Sequence, residues 1–206
     1  MLVIGQPGSG RSTALAGQAR SLAAAGESLV LITPRRSALT GAIGPAGVLL
    51  HLTATDAGAA EALATALAVA GPTGIIVDDA ELLTDTPLGD ELTGRYRRIR
   101  DSDHRVLAAT TMDSATVFRG LIPELAKAKC GLVLEPASST DGTPLGTRLP
   151  LSVLASSMPL RGALVRNGVV RPVQVPSFAN SVSELTQSGS AWPGAGVEGE
   201  RGSAAR

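Results

Sequence analysis

Residues 5–13 of this chain read GQPGSGRST, and they follow directly on the apolar run LVI at residues 2–4. The spacing of the glycines is that of a phosphate-binding loop, in which a glycine-rich backbone folds around an anion. The sequence departs from that pattern at Arg11, where a lysine is expected. The stretch therefore predicts a buried strand, a phosphate-binding loop and a helix in immediate succession.

The pattern of such a loop assigns a role to most of its residues. Backbone N–H groups point inward, and the helix beginning near Ser12 presents the positive end of its dipole. The Ser12 hydroxyl would ligate Mg²⁺, and Thr13 could contact the α-phosphate side. Arg11 keeps the charge of a lysine, but its planar fork has a different geometry. The residues expected to contact a nucleotide are Gly5, Gly8, Ser9, Gly10, Arg11, Ser12 and Thr13.

A second motif supports the first, because a glycine-rich turn without any ligand would fit the loop alone. Residues 74–79 read GIIVDD, an apolar strand that ends in two carboxylates. Such a strand delivers Asp78 to the magnesium shell at the carboxyl edge of the sheet. Asp79, or Glu81 close by, would polarise the attacking water. The alternative is a strand followed by a solvated acidic turn, but both motifs in order indicate a nucleotide-binding domain.

A third feature is the run AATT at residues 108–111, at the end of a predicted strand. A hydroxyl at Thr110 could sense the γ-phosphate or orient water, as in P-loop motors with an extra strand between the two motif strands. A threonine that only caps a turn fits this position equally well.

The rest of the pattern predicts an α/β fold with a mostly parallel sheet flanked by helices. Apolar runs predict strands at 1–4, 28–33, 47–53, 74–79, 105–110 and 131–135, with helices at 12–25, 57–70 and 88–100 between them. Residues 162–166 and 169–175 predict a β-hairpin around Asn167-Gly168. We therefore expect one domain over residues 1–176 and a disordered tail over residues 177–206. The short first strand suggests that the chain lacks upstream modules.

Composition excludes several other classes of protein. No apolar run approaches the ~20 residues of a membrane helix, and no signal peptide is visible, so we expect a cytoplasmic location. With 2% aromatic residues and a net charge of zero, nothing global favours nucleic acid. Cys130 is alone, which excludes a disulfide, and we expect it to be a small buried residue. The two histidines, His51 and His104, are expected to be structural.

The motifs together resemble a known family. GQPGSGRSTAL, ITPRRSAL, GIIVDDAELLTDTPLGDEL, RRIRDSDHRVLAATT and GLVLEPASSTDGTPLGTRLP resemble the C-terminal ATPase module of actinobacterial FtsK/SpoIIIE-type proteins, including those related to the type VII secretion motor. The resemblance covers residues 2–176. It implies a RecA-like P-loop NTPase domain that binds ATP with Mg²⁺ and works with other ATPase modules or as a homo-oligomer. Its substrate would be DNA or a secreted protein, and partners would hold it at the membrane face.

The family pattern also raises questions about catalysis. An arginine at the loop lysine is frequent in such terminal modules, and it puts turnover in doubt rather than binding. The family usually has an arginine after Leu149-Pro150, whereas Leu151 follows here. Arginines that could act on a neighbouring subunit's nucleotide, or simply form a solvated surface, are Arg95, Arg97, Arg98, Arg100, Arg148 and Arg161, with Arg35 and Arg36 equally ambiguous.

Three functions fit these observations. The first is an ATP-binding module of a DNA-translocation or protein-secretion machine that hydrolyses ATP slowly or not at all. The second is an active ATPase motor subunit in which Arg11 replaces lysine adequately. The third is a non-catalytic RecA-like scaffold that docks a protein segment where related domains hold ATP.

Overall fold

A computed structural model describes residues 1–35, 37–43, 47–69, 71–99, 102–154 and 159–176, and the structural statements below concern these residues. The strands are β1 (Leu2–Gly5), β2 (Ser28–Ile32), β3 (Val48–Leu52), β4 (Thr73–Val77), β5 (Arg105–Thr110), β6 (Cys130–Leu134), β7 (Arg161–Arg166) and β8 (Val169–Gln174). The α-helices are α1 (Arg11–Ala24), α2 (Ala38–Ile43), α3 (Ala59–Val69), α4 (Pro87–Ile99), α5 (Leu121–Ala126) and α6 (Leu151–Leu154). The predicted tail at 177–206 lies outside the described residues and stays a prediction.

The eight strands form one sheet in the order β3-β2-β4-β5-β1-β6-β7-β8. The strands from β3 to β6 in this order run parallel, whereas β7 and β8 pair antiparallel with their neighbours as the predicted hairpin. Strand β5 lies between β1, which leads into the glycine-rich loop, and β4, which precedes the acidic pair. The predicted mostly parallel α/β fold is therefore confirmed.

Both faces of the sheet are covered, which explains why its strands are continuously apolar rather than alternating. Along β1, Val3 packs with α1 and α2 on one face, in a cluster that includes Leu15 and Leu39. Its neighbour Ile4 faces the opposite side, in a cluster that includes Leu63 of α3. Successive side chains of a strand point to opposite faces, so a strand between two helical layers needs apolar residues at every position.

Some details differ from the sequence-based expectations. The polar segment after β2 contains α2, and two further short helices, α5 and α6, were not predicted from the apolar pattern. Cys130, which was expected to be buried, is only partly buried, and it is the first residue of β6. His51 lies with Nε2 2.6 Å from the Thr33 hydroxyl, which fits a structural role.

Two classes of feature are missing from the part of the chain that the structure describes. None of its helices combines the length and the apolar composition that crossing a lipid bilayer requires. No group of three or more histidine, cysteine, aspartate or glutamate side chains is arranged to hold a metal ion there.

Candidate nucleotide-binding site

The glycine-rich loop lies at the carboxyl edge of the sheet, between β1 and α1. Gly10 caps the start of α1 with a φ of +90°, a backbone conformation that favours glycine. A β-carbon on Gly10 would lie 2.0 Å from Leu160 Cδ2, and one on Gly5 would lie 2.3 Å from Ser9 Oγ. Both glycines are therefore needed for the loop to close as it does. No side chain of the described residues accepts a hydrogen bond from the first-turn N–H groups of α1, so these groups can face an anion.

The cavity in front of this loop has a volume of about 440 Å³. Its walls come from the loop, from the segment after β2 and from the segment after β4. Ten residues line it: Pro7, Gly8, Gly10, Arg11, Ser12, Thr13, Arg35, Ser37, Asp78 and Asp79. Of the residues predicted to contact a nucleotide, Gly5 and Ser9 are not in this lining. They lie behind the loop, where Ser9 is buried and shapes its turn.

Asp78 is the first residue after β4, and it is almost fully buried at 2% exposure. The Ser12 hydroxyl donates a hydrogen bond of 2.7 Å to Asp78 Oδ2. The Ser37 hydroxyl donates a second hydrogen bond, of 2.5 Å, to the same oxygen. The structure thus brings together the two residues predicted to hold magnesium. A hydroxyl and a carboxylate are the hard oxygen ligands that Mg²⁺ prefers, and phosphates and water would supply the rest, so the donor set fits the ion.

Arg11 occupies the position of the expected lysine, but its guanidinium group pairs with carboxylates. Its side chain is buried, with Nη2 donating to Asp79 Oδ1 at 3.1 Å. Its Nη1 lies 3.6 Å from Glu81 Oε1, at ion-pair distance. The fork of an arginine can span two carboxylates, which a lysine ammonium group does less well. The sequence predicted a phosphate contact for Arg11, and the structure gives it acidic partners from the β4 edge.

Asp79 has a guanidinium group on each of its carboxylate oxygens. Arg35 Nε donates to Asp79 Oδ2 at 2.6 Å, opposite the contact with Arg11. The hydrogen bond and then the charge of Asp79 raise the pKa of Arg35 above its ordinary value, so Arg35 is fully charged. Asp79 also adopts a φ of +47°, a conformation in which aspartate is tolerated better than most residues. In this arrangement each oxygen of Asp79 already accepts one hydrogen bond from a guanidinium group, which leaves one lone pair on each oxygen.

The two other candidate catalytic residues lie beside the cavity rather than in its lining. Glu81 belongs to a short 3-10 turn after Asp79, and its Oε2 is buried without a hydrogen-bond partner among the described residues. Thr110 ends β5 and is fully buried, and its Oγ1 likewise has no partner in the described ranges. Buried polar atoms are normally satisfied, so both atoms suit a water or ligand. Their predicted roles in water activation and sensing stay predictions.

The arginines considered for action on a neighbouring subunit differ in their surroundings. Arg95 pairs with Glu91 at 2.5 Å within α4, and Arg97 reaches Glu124 on α5 at 2.8 Å. Arg98, Arg148 and Arg161 are exposed, and Arg100 lies outside the described residues. Both Arg95 and Arg97 are thus paired with carboxylates of this same chain, which favours the solvated-surface interpretation for them. Leu151, which stands where the family has an arginine, is 77% exposed.

Sequence reasoning missed Ser37 and left Arg35 ambiguous. Both follow β2, which lies next to β4 in the sheet. Ligands of parallel α/β sheets bind outside the carboxyl ends of the strands, so the residues after β2 were candidates on position alone. The signal was present, but it required the order of strands, which the sequence did not provide.

A glycine-rich loop after β1, an acidic pair after β4 and a strand between them define the RecA-like P-loop ATPase fold. No family model matches the sequence, and no curated protein matches it either. Solved structures are similar in fold, and they include the cytoplasmic domain of the type VII secretion ATPase EccC of Thermomonospora curvata. That match has a TM-score of 0.64 and 20% identity, and it covers 84% of this chain. The chain therefore has the fold of FtsK/SpoIIIE-like P-loop ATPase modules.

Two further structures show the same fold. The ATPases 2 and 3 of the same EccC, in complex with a signal sequence peptide, match with a TM-score of 0.61 and 21% identity over 84% of this chain. The genome packaging NTPase B204 from Sulfolobus turreted icosahedral virus 2, in complex with ATP-gammaS, matches with a TM-score of 0.56 and 14% identity over 85% of this chain. The present chain spans 23% of the EccC cytoplasmic domain, 36% of the two-ATPase structure and 96% of B204.

Proposed function

We propose that this chain is an ATP-binding FtsK/SpoIIIE-like module of a DNA-translocation or protein-secretion machine, and that it hydrolyses ATP slowly or not at all. The observation that carries the proposal is that two adjacent carboxylates have different kinds of partner. Asp78 accepts hydrogen bonds from the hydroxyl groups of Ser12 and Ser37, whereas Asp79 is paired with the guanidinium groups of Arg11 and Arg35. The first arrangement suits metal binding, and the second opposes catalysis.

Binding is supported by the loop and by the balance of charge around it. The glycine-rich turn and the uncapped start of α1 provide N–H groups for phosphate oxygens. Three carboxylates, those of Asp78, Asp79 and Glu81, meet two guanidinium groups at this edge. A triphosphate would add further negative charge, so its entry requires a cation. Mg²⁺ bound through Ser12 and Asp78 would neutralise and orient the phosphates.

Slow hydrolysis follows from the partners of Asp79. A general base must accept a proton from the attacking water, and a carboxylate oxygen that already accepts a hydrogen bond from a cation does so less readily. Both oxygens of Asp79 accept hydrogen bonds from arginines, at 3.1 Å and 2.6 Å. Glu81 is also within 3.6 Å of Arg11. The same substitution that removes the lysine from the phosphates thus places a cation against the groups that would activate water.

The machine in which the module works is inferred from its structural neighbours. EccC carries several ATPase modules, and one of its structures contains a signal sequence peptide. By analogy, we propose that this chain acts beside other ATPase modules or further copies of itself, with DNA or a secreted protein as the substrate. A cytoplasmic site of action, at the membrane face through partners, is part of the same proposal.

A titration with a fluorescent ATP analogue, with and without Mg²⁺, tests the binding. We expect saturable, Mg²⁺-dependent binding that is lost in Ser12→Ala and Asp78→Ala. Ser21→Ala is the matched control, because this serine lies on the same helix but is exposed and bonds only within α1. Binding that ignores Mg²⁺, or that survives both substitutions, would contradict the proposal.

The same titration addresses the alternative, a non-catalytic scaffold that docks a protein segment. That alternative is supported by the ion pairs of Arg11 and Arg35 with Asp79, which engage charged groups of the cavity with one another. A scaffold would show no saturable nucleotide binding at any Mg²⁺ concentration. Phosphate release then separates a slow module from an active motor, since turnover well above that of Asp79→Ala would identify a motor.

A further inference from the structure

Arg35 differs from Arg11 in one respect that bears on function, which is its freedom to move. Both arginines donate to Asp79 and both line the cavity. The Arg11 side chain is 8% exposed, whereas that of Arg35 is 62% exposed. Arg11 is enclosed at the start of α1 and has a second carboxylate, Glu81, within reach. Arg35 follows β2, and Asp79 is the only carboxylate found at ion-pair distance from it among the described residues.

When an anion enters the cavity, the free-energy cost of moving the side chain therefore differs between the two arginines. Moving Arg11 away would remove one of the two guanidinium partners of the buried Asp79 and also the ion-pair partner of Glu81, which is unfavourable. Moving Arg35 exposes a side chain that is already largely in solvent, and Asp79 keeps its contact with Arg11. A guanidinium fork matches the geometry of phosphate oxygens and can bind two of them at once. Arg35 is therefore the cation at this edge that can exchange a carboxylate for a phosphate.

We propose that Arg35 binds the terminal phosphate of the nucleotide, and so supplies the positive charge that the loop lysine gives in a standard site. The inference rests on the proposed function, because it requires that a nucleotide binds at all. In the resulting complex, Mg²⁺ is held through Ser12 and Asp78, and Arg35 contacts the outermost phosphate. Arg11 stays with Asp79 and Glu81, and it is then the cation that opposes proton transfer to these two carboxylates. The residue would make the site prefer a triphosphate to a diphosphate.

The segment that carries Arg35 is held at the site by its neighbour Ser37. The Ser37 hydroxyl donates to Asp78 and also accepts a hydrogen bond of 3.0 Å from the Leu39 backbone N–H. Leu39 is fully buried against α1. The backbone on the C-terminal side of Arg35 is thus fixed to the β4 edge while the arginine side chain is exposed. This combination keeps the guanidinium group within reach of the cavity at low entropic cost.

The experiment compares the affinities for ATP and ADP, both with Mg²⁺, in the wild type, Arg35→Ala, Arg35→Lys and the control Arg171→Ala. Arg171 is an exposed arginine on β8, at the far edge of the sheet. We expect Arg35→Ala to weaken ATP binding about tenfold or more, the effect of losing a charged hydrogen bond, and to change ADP binding less than about twofold. Arg35→Lys should recover part of the preference for ATP, and Arg171→Ala should leave both affinities unchanged.

Each other result is decisive in a different way. If Arg35→Ala binds both ATP and ADP with wild-type affinity, Arg35 does not contact the terminal phosphate, although the proposed function stands. If the variant weakens ATP and ADP equally, the arginine supports the site in another way and the inference is wrong. If the wild type binds neither nucleotide, the proposed function fails first and this inference fails with it. Thermal unfolding of each variant checks that the domain remains folded.

Discussion

Replacing Arg11 by lysine tests whether the arginine limits hydrolysis. The lysine keeps the charge but loses the fork that contacts Asp79 at 3.1 Å and approaches Glu81 at 3.6 Å. A hydrogen bond to a charged group contributes about 1.5–3 kcal/mol, and every 1.4 kcal/mol is a factor of ten. Release of Asp79 from that contact should therefore raise the rate of ATP hydrolysis by about tenfold to a hundredfold. The lysine would also reach the phosphates, as in a standard loop.

The assay is phosphate release under single-turnover conditions, with the protein in excess of ATP and with saturating Mg²⁺, at several protein concentrations so that subunit association is visible. Arg11→Lys with Asp79→Asn is the matched control, and it should return the rate to the wild-type level. Arg11→Ala separates the charge from the fork, because it removes the ion-pair partner of Glu81 and leaves Asp79 with Arg35 alone, and it should destabilise the domain by about 1–3 kcal/mol. If Arg11→Lys binds ATP normally but turns over within twofold of the wild type, the pairing of Asp79 is not what limits catalysis.

Two further predictions concern the loop and the helical layer. Gly10→Ala should lower both the stability of the domain and its nucleotide affinity, because the β-carbon would meet Leu160 at 2.0 Å. The control is Gly26→Ala, which has a similar φ of +84° but lies in open space and should lower only stability. Binding titrations and thermal unfolding measure the two effects. Glu124, whose pKa is lowered by hydrogen bonds from Lys127 and Arg97, stabilises the fold above the ordinary carboxyl pKa and loses that effect as the pH falls through its lowered value. Glu124→Gln should thus lower the melting temperature by about 1–3 °C at pH 7, since its partners are largely exposed, and have no effect at strongly acidic pH; an equal loss at both pH values would contradict this origin.

The main elements of the fold were predictable because their signals are local. Continuous apolar runs such as 74–77 and glycine-rich boundaries at 5–10 mark strands and loops regardless of what they later contact. The helix α2 was not predictable in that way. It is six residues long, it contains a glycine, and it is held by the packing of Leu39 against α1 and by the contact of the preceding Ser37 with Asp78, which is 41 residues away in the sequence. Short helices of this kind depend on tertiary contacts rather than on their own propensity.

The candidate site was predictable in its residues but not in its contacts. Motif spacing placed Ser12 and Asp78 together because both lie at the carboxyl ends of parallel strands, where side chains must meet. The partner of Arg11 could not be inferred in the same way. An arginine side chain can extend towards the loop or across to β4, and the choice depends on where Asp79 and Glu81 lie in three dimensions. A motif that fixes a residue's position along the chain therefore does not fix the direction of a long side chain.

The separation of Asp78 from Asp79 has a consequence for how such a module could be retained without catalysis. Adjacent residues at the end of a strand point in different directions, so one carboxylate faces Ser12 and Ser37 while the next faces Arg11 and Arg35. A substitution at position 11 therefore changes how readily Asp79 accepts a proton. It does not alter the contacts of the Asp78 oxygen that would hold magnesium. We therefore expect single substitutions to change hydrolysis without abolishing binding, so that a chain that loses hydrolysis can keep the nucleotide. A nucleotide held in this way would stabilise an assembly as a bound ligand and would not be hydrolysed to drive movement.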